Sequence, residues 1–132
     1  MTFTTASQAA QQIQERLSAG DKDFARRLIT QFADTIKRAA TNAAAGSMLE
    51  KDPDRLSDAS LDAFFRTVVL WATTQYGIDA PVWSDVQALR DPAFFLPDEF
   101  LDDSFRDLIR RETPAEFASR NLWIRDRDLR SV

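Results

Sequence analysis

The sequence predicts an all-α protein: a small bundle of three main helices, then an irregular C-terminal region of short helices, within one domain spanning residues 1–132. Three observations lead there. Three glycines and five prolines in 132 residues are too few for a sheet protein with many tight turns. Alanine, arginine, glutamine and leucine, all good helix formers, crowd the first half. Apolar residues recur there at spacings of three and four, the period of one helix face. A hydrophobic content of 44% with 29% charged residues belongs to a folded chain rather than a disordered one.

The first helix is expected over Thr5 to Leu17, where Ala6, Ala9, Ala10, Ile13 and Leu17 form one stripe. Gly20 supplies its stop. Asp21 or Asp23 can cap a second helix of about 20 residues, in which Phe24, Leu28, Phe32, Ile36 and Ala40 recur every fourth position. Its other face carries Arg26, Arg27, Asp34, Lys37 and Arg38, which reads as solvated charge. Periodicity lapses from Ala43 to Leu56, and Gly46 with Asp52-Pro53 signals an interhelical loop with room to move. Ser57 or Asp58 starts the most apolar helix. Leu61, Phe64, Phe65, Val68, Val69, Leu70, Trp71, Ala72 and Tyr76 cover more than half its circumference, which places it at the centre, and Gly77 ends it. Residues 1–77 therefore read as the bundle.

Residues 78–132 differ in character, alternating proline with large aromatics: Pro81-Val82-Trp83, Asp91-Pro92-Ala93-Phe94-Phe95-Leu96-Pro97, Thr113-Pro114-Ala115-Glu116-Phe117 and Asn121-Leu122-Trp123-Ile124. Proline fixes its own φ and restricts the residue before it, so aromatic side chains can be held in place without long regular elements. Short helices are expected at Ser84 to Leu89, Pro97 to Leu101 and Asp103 to Arg111, the last turning Phe105, Leu108 and Ile109 inward. Thr113 to Glu116 has the composition of a capping box with proline at the first helical position, predicting a helix from Pro114 to Arg120. Asn121 to Ile124 reads as extended, and Asp126 as the cap of a final turn bearing Leu129.

The chain contains neither cysteine nor histidine. Thiol catalysis, disulfides, His/Cys zinc sites and serine-histidine triads are thereby excluded. Carboxylates, lysines such as Lys37, and Tyr76 remain for proton transfer, and the expectation is a non-enzyme without a cofactor. No stretch approaches the ~20 apolar residues of a membrane span, and Met1 to Gln12 lacks the regions of a signal peptide, so a cytoplasmic protein without membrane contact is expected. A net charge of −4 and a pI near 4.8 repel phosphate backbones at long range.

Asp98, Glu99, Asp102 and Asp103 form an acidic cluster without EF-hand spacing; helix capping and solubility account for it, and no metal site is expected. Arg106, Arg110, Arg111, Arg120, Arg125, Arg127 and Arg130 make the C-terminal region arginine-rich, yet from Arg90 onward ten carboxylates stand among eight arginines. Internal ion pairs and rim contacts to a protein partner are favoured over nucleic acid. The alternative reading is a nucleic-acid-binding regulator using Arg110, Arg111, Arg125 and Arg127. Because a proline-bounded segment cannot sink every side chain, Phe94-Phe95-Leu96 is expected to be partly exposed, against the plainer expectation of a small second core beneath the loops. Aromatics and arginine anchor protein interfaces, so Phe94, Phe95, Phe100, Phe117, Arg120, Asn121 and Trp123 are the candidate partner-binding residues. The broad apolar third helix of so small a chain leaves a homodimer open.

From Leu61 to Leu129 the pattern is an aromatic helix ending at Tyr76-Gly77, then Pro81-Val82-Trp83, Leu89, Asp91-Pro92 with Phe94-Phe95, a helix, and Pro114-Ala115-Glu116-Phe117-Ala118-Ser119-Arg120-Asn121-Leu122-Trp123-Ile124. It resembles a family of small antitoxin-like proteins of actinobacterial type encoded beside nucleotidyltransferase-like toxins. The resemblance spans about half the chain and is most specific at the proline, Phe117 and Arg120-Asn121. It implies a non-catalytic partner whose helices and aromatic tail cover a cognate enzyme. Longer members carry an N-terminal DNA-binding domain that has no convincing counterpart here, and no catalytic residue transfers.

Overall fold

The computed structural model describes residues 3–95 and 102–130. Among them the order is α1 (Ala6–Ser18), α2 (Lys22–Thr41), α3 (Ala45–Met48), α4 (Ala59–Gln75), a 3₁₀ turn (Val82–Ser84), β1 (Ala93–Phe94), α5 (Asp103–Glu112), α6 (Ala115–Ala118), β2 (Leu122–Trp123) and α7 (Asp126–Leu129). The protein is all-α apart from two strands of two residues each. No described helix is long and apolar enough to cross a membrane.

Each long helix starts and stops where local chemistry dictates. Thr5 accepts from the Gln8 amide while the Gln8 side chain accepts from the Thr5 amide, a complete capping box for α1. At its other end Gly20, with φ +80°, lets its own amide reach the Leu17 carbonyl and the Asp21 amide reach that of Arg16. Asp21 then caps α2 through the Phe24 amide, so two residues separate the cap of α1 from the start of α2 and the helices pack as a hairpin. Asp58 caps α4, and Gly77 closes it with the Ile78 amide on the Thr73 carbonyl.

The buried face of α2 is not the every-fourth-residue row. Ala25, Ile29, Phe32, Ala33, Ile36 and Ala39 are buried, whereas Phe24 is 36% exposed and Leu28 only half-buried. A strict spacing of four drifts about 40° per step on a helix with 3.6 residues per turn, so only alternating threes and fours stay on one face. Phe24 instead carries the Arg16 guanidinium over its ring, 4.5 Å from the centroid. Helix α4 is central: Leu61 through Val69 are all buried.

The segment expected as a loop, Ala43 to Leu56, contains α3 and buries Ala45, Met48, Leu49 and Leu56 in the main core. The helix expected at Ser84–Leu89 is absent. That stretch is drawn out along the α6–β2 junction, where the Leu89 amide bonds the Arg120 carbonyl and the Val86 carbonyl accepts from Arg120 Nε. The helix expected at Pro97 to Leu101 falls wholly within 96–101, outside the described residues. Helix α5 forms as expected, with Ile109 fully buried and Phe105 and Leu108 half-buried. The capping box at Thr113 does not form: its hydroxyl donates to the Ile109 carbonyl at 2.6 Å, Pro114 becomes the cap residue, and α6 is cut to four residues. Similarly, Asp126 is the first residue of α7 rather than its cap, and it holds Arg130.

The C-terminal region plugs into the same core. Strand β1 pairs with β2 in parallel, Ala93 opposite Leu122 and Phe94 opposite Trp123. Phe95 stacks on Phe64 of α4 at 4.1 Å between centroids, Phe117 meets Phe64 at 5.9 Å and Trp71 at 6.4 Å, and Phe32 of α2 meets Phe65 at 5.7 Å. Aromatic contacts of this kind add to area burial and fix ring orientation. Phe117 is fully buried at the join of α4, α6 and β2, so Phe117→Ala is expected to cost about 3–5 kcal/mol in urea unfolding, with the slope of the transition unchanged.

Candidate functional site

One polar clamp and one aromatic surface occupy the C-terminal region the sequence singles out, and another polar clamp lies on α4. The first clamp is Arg66, on α4 and only 2% exposed. Its Nε donates to Asp62 at 3.1 Å, one terminal nitrogen to Asp52 at 2.9 Å and to the Trp83 carbonyl at 3.3 Å, and the other to the Pro53 carbonyl at 2.8 Å. Asp62, also buried, accepts from the Leu56 amide and from Arg55. Trp83 lies beside Arg66, 5.7 Å from ring centroid to guanidinium, and its Nε1–H donates to the Leu49 carbonyl. These groups line an open cleft of about 500 Å³. Its carboxylates are held by arginines: Asp52 and Asp62 by Arg66, and Asp85 by Arg120 at 2.7 Å.

Arg120 and Asn121 form the second clamp. Besides Asp85 and the Val86 carbonyl, Arg120 donates to the Glu116 carbonyl at 2.8 Å. Asn121 sits at φ +62°, a left-handed conformation that asparagine tolerates better than most residues. Its amide nitrogen donates to the Leu89 carbonyl, and its oxygen accepts from Trp123 Nε1 at 2.9 Å. Both were expected at a partner interface; both are half-buried, with polar atoms serving carbonyls of the extended 85–89 segment and, for Arg120, the exposed Asp85.

The same correction applies to two of the aromatics. Phe95 is 6% exposed and Phe117 is fully buried, so neither side chain can meet a partner in this fold. Alternation along the strands is the reason: Phe95, Leu122 and Ile124 point to the core while Phe94 and Trp123 point outward. The expectation of partial exposure therefore holds for Phe94 and not for Phe95. Phe100, like Leu96, Asp98 and Glu99, falls outside the described residues. Phe94 and Trp123 are half-buried and stacked, 6.4 Å apart with rings inclined by 28°. The guanidiniums of Arg106 and Arg110 lie over Phe94 at 5.6 and 5.3 Å.

Of the four arginines in the nucleic-acid reading, three are paired internally. Arg110 meets Asp107 at 3.2 Å, Arg125 holds both oxygens of Asp128, and Arg127 meets Glu112 at 2.9 Å. Arg111 is exposed and has no ion pair among the described residues. Hydrogen bonds from Arg125 to Asp128, and from Arg130 to Asp126, raise both guanidiniums above the usual arginine value. Among the described residues no three carboxylates converge on a metal position; Asp102 caps α5 through the Phe105 amide and Asp103 faces solvent.

No protein-family model matches the chain. Neither a curated protein nor a solved structure shows significant similarity to it. The antitoxin resemblance thus rests on the quoted residues alone. Sequence reasoning missed the Arg66 clamp, although its signal was present: Asp62 and Arg66 stand four apart inside the most apolar helix, a spacing at which opposite charges meet.

Removing one partner of a buried pair leaves an uncompensated charge, so Arg66→Ala is expected to lose about 3–5 kcal/mol, read by urea unfolding, with the Trp83 fluorescence changing in the folded state. Asp62→Leu combined with Arg66→Met should recover most of that loss. Asp58 gives a pH signature. Burial works to raise its carboxyl, but bonds from Ser60, the Leu61 amide and Lys22 outweigh it and hold the group below the usual carboxylate range. A lowered folded value means the stabilisation is present above the unfolded value of about 3.9 and is lost as pH falls through the folded one. Asp58→Asn should therefore be less stable than wild type at pH 7, with the gap closing as unfolding is measured at progressively lower pH.

Proposed function

We propose that this chain is a non-catalytic protein-interaction module, an antitoxin-like partner that covers a nucleotidyltransferase-like protein with the surface centred on Phe94 and Trp123. The observation that carries this reading is the stacked, half-exposed Phe94–Trp123 pair framed by Arg106 and Arg110. Tryptophan and arginine are the residue types richest in binding hot spots, and rings already fixed in place lose little freedom on docking. Here the fixing is visible: Trp123 is tied to Asn121, Asn121 to Leu89, and the strand beneath to Phe95. The carboxylates of the cleft beside Arg66 support the same reading, since each is occupied by an arginine that holds the fold. A nucleic-acid role would require Arg110, Arg125 and Arg127 to leave their carboxylates.

The test is co-expression and co-purification with the product of the adjacent open reading frame. Phe94→Asp should abolish the complex, and Trp123→Ala should weaken it by about 30-fold or more, the scale of a hot-spot loss. Both variants must keep the wild-type unfolding midpoint to within about 1 kcal/mol, as half-exposed sites permit. Unchanged binding in folded variants would remove this surface, and absence of any complex with wild type would remove the partner.

A further inference from the structure

We propose that the hollow between α2 and the end of β2 is an oxyanion site that takes a single phosphate group through Arg26 and Arg27. It encloses about 190 Å³ and is lined by Arg26, Arg27, Thr30, Phe95, Ile124 and Asp128. Two arginines that are not tied to a close carboxylate meet here at one hollow. Arg66, Arg120, Arg125, Arg127 and Arg130 each hold a carboxylate at 2.9 Å or less. Arg26 is three-quarters covered, with 23% of its side chain exposed, yet its nearest carboxylate is the solvent-facing Asp23 at 3.8 Å, beyond hydrogen-bond reach. Arg27 is exposed at the rim, and its guanidinium has no ion pair, ring contact or hydrogen bond among the described residues.

Neither guanidinium has a carboxylate within hydrogen-bond reach among the described residues, so the N–H groups of both are open to an anion. Two adjacent forks of N–H donors match the oxygens of a phosphate. Thr30 donates its proton to the Arg27 carbonyl, so the arginines are the donors here. Asp128, the one acid in the wall, has both oxygens on Arg125 at 2.7 and 3.2 Å, which neutralises it. Counting Arg26, Arg27 and Arg125 against Asp23 and Asp128 leaves one positive charge, in a chain whose net charge is −4. Phe95 and Ile124, both buried, give the hollow a rigid apolar wall that lowers the local dielectric and strengthens attraction to an anion. The volume lies below the roughly 300–1,000 Å³ of pockets for whole small molecules, which suits one group, either a free phosphate ion or the phosphoryl end of a monoester.

The site is on the opposite side of the strands from Phe94 and Trp123, so it stands or falls separately from the docking surface. The test follows the backbone amides of Arg26, Arg27, Thr30 and Ile124 by NMR while the intact chain is titrated with inorganic phosphate, and in a second arm with glycerol phosphate, against sodium chloride of equal ionic strength. Saturable shifts confined to these residues are expected, with the apparent Kd rising about tenfold or more in Arg26→Gln, as loss of a charged hydrogen bond implies. Should that variant misfold, Arg27→Gln carries the same expectation. Trp123→Ala should bind phosphate as wild type does. Saturation in the first arm only would assign the free ion; saturation with the ester would assign a phosphomonoester. Linear shifts in both arms, equal shifts with chloride, or unchanged affinity in the folded arginine variants would overturn the site.

Discussion

The architecture hangs on a charge placed where charge is hardest to keep. Arg66 projects from the most apolar helix, and it is stable there because four hydrogen bonds gather the loop around Asp52 and Pro53, the carboxylate of Asp62 and the backbone of Trp83 about it. Hydrophobic residues in place of both Arg66 and Asp62 could fill the volume with little loss of stability, but they would not specify where the 49–57 loop and the 82–84 turn must lie. The guanidinium thereby turns a featureless apolar helix into one with a defined orientation toward both flanking segments.

Aromatic packing extends that order across the C-terminal region. A single cluster of buried residues runs from Ala6 to Leu129, and it includes Phe95, Phe117, Leu122, Ile124 and Leu129 alongside the residues of α2 and α4. The prolines do not build a separate surface lobe. Strand alternation turns Phe95 inward and leaves its neighbour Phe94 outward.

Helix existence was legible because its signals are local: Thr5, Asp21, Asp58 and Asp102 all cap, and Gly20 and Gly77 both terminate. The buried row of α2 was not read correctly, since a stack of large residues at every fourth position draws the eye away from the smaller Ala25, Ala33 and Ala39, which are buried beside Ile29, Phe32 and Ile36. The missing 84–89 helix and the reassigned Thr113 have different causes. The first depends on Arg120, 34 residues away from Val86, which no window of sequence contains, whereas Thr113 is claimed locally, its hydroxyl bonding back four residues to the Ile109 carbonyl at the end of α5. For the candidate site the residue types were readable and their facing was not; a two-residue strand is too short for alternation to announce itself, and it alone separates Phe94 from Phe95 and Trp123 from Leu122.

The parallel pairing of β1 with β2 has a kinetic side. Ala93 can find Leu122 only after the intervening chain has folded back on itself, so the ladder closes a loop spanning α5 and α6 and has to form late relative to the helix hairpin at the N-terminus. Loop-closure entropy grows only with the logarithm of length, by about 0.6 kcal/mol per doubling. The excursion between the strands is consequently the stretch in which descendants of this sequence can gain or lose residues while the ladder, and everything packed beneath it, keeps its register.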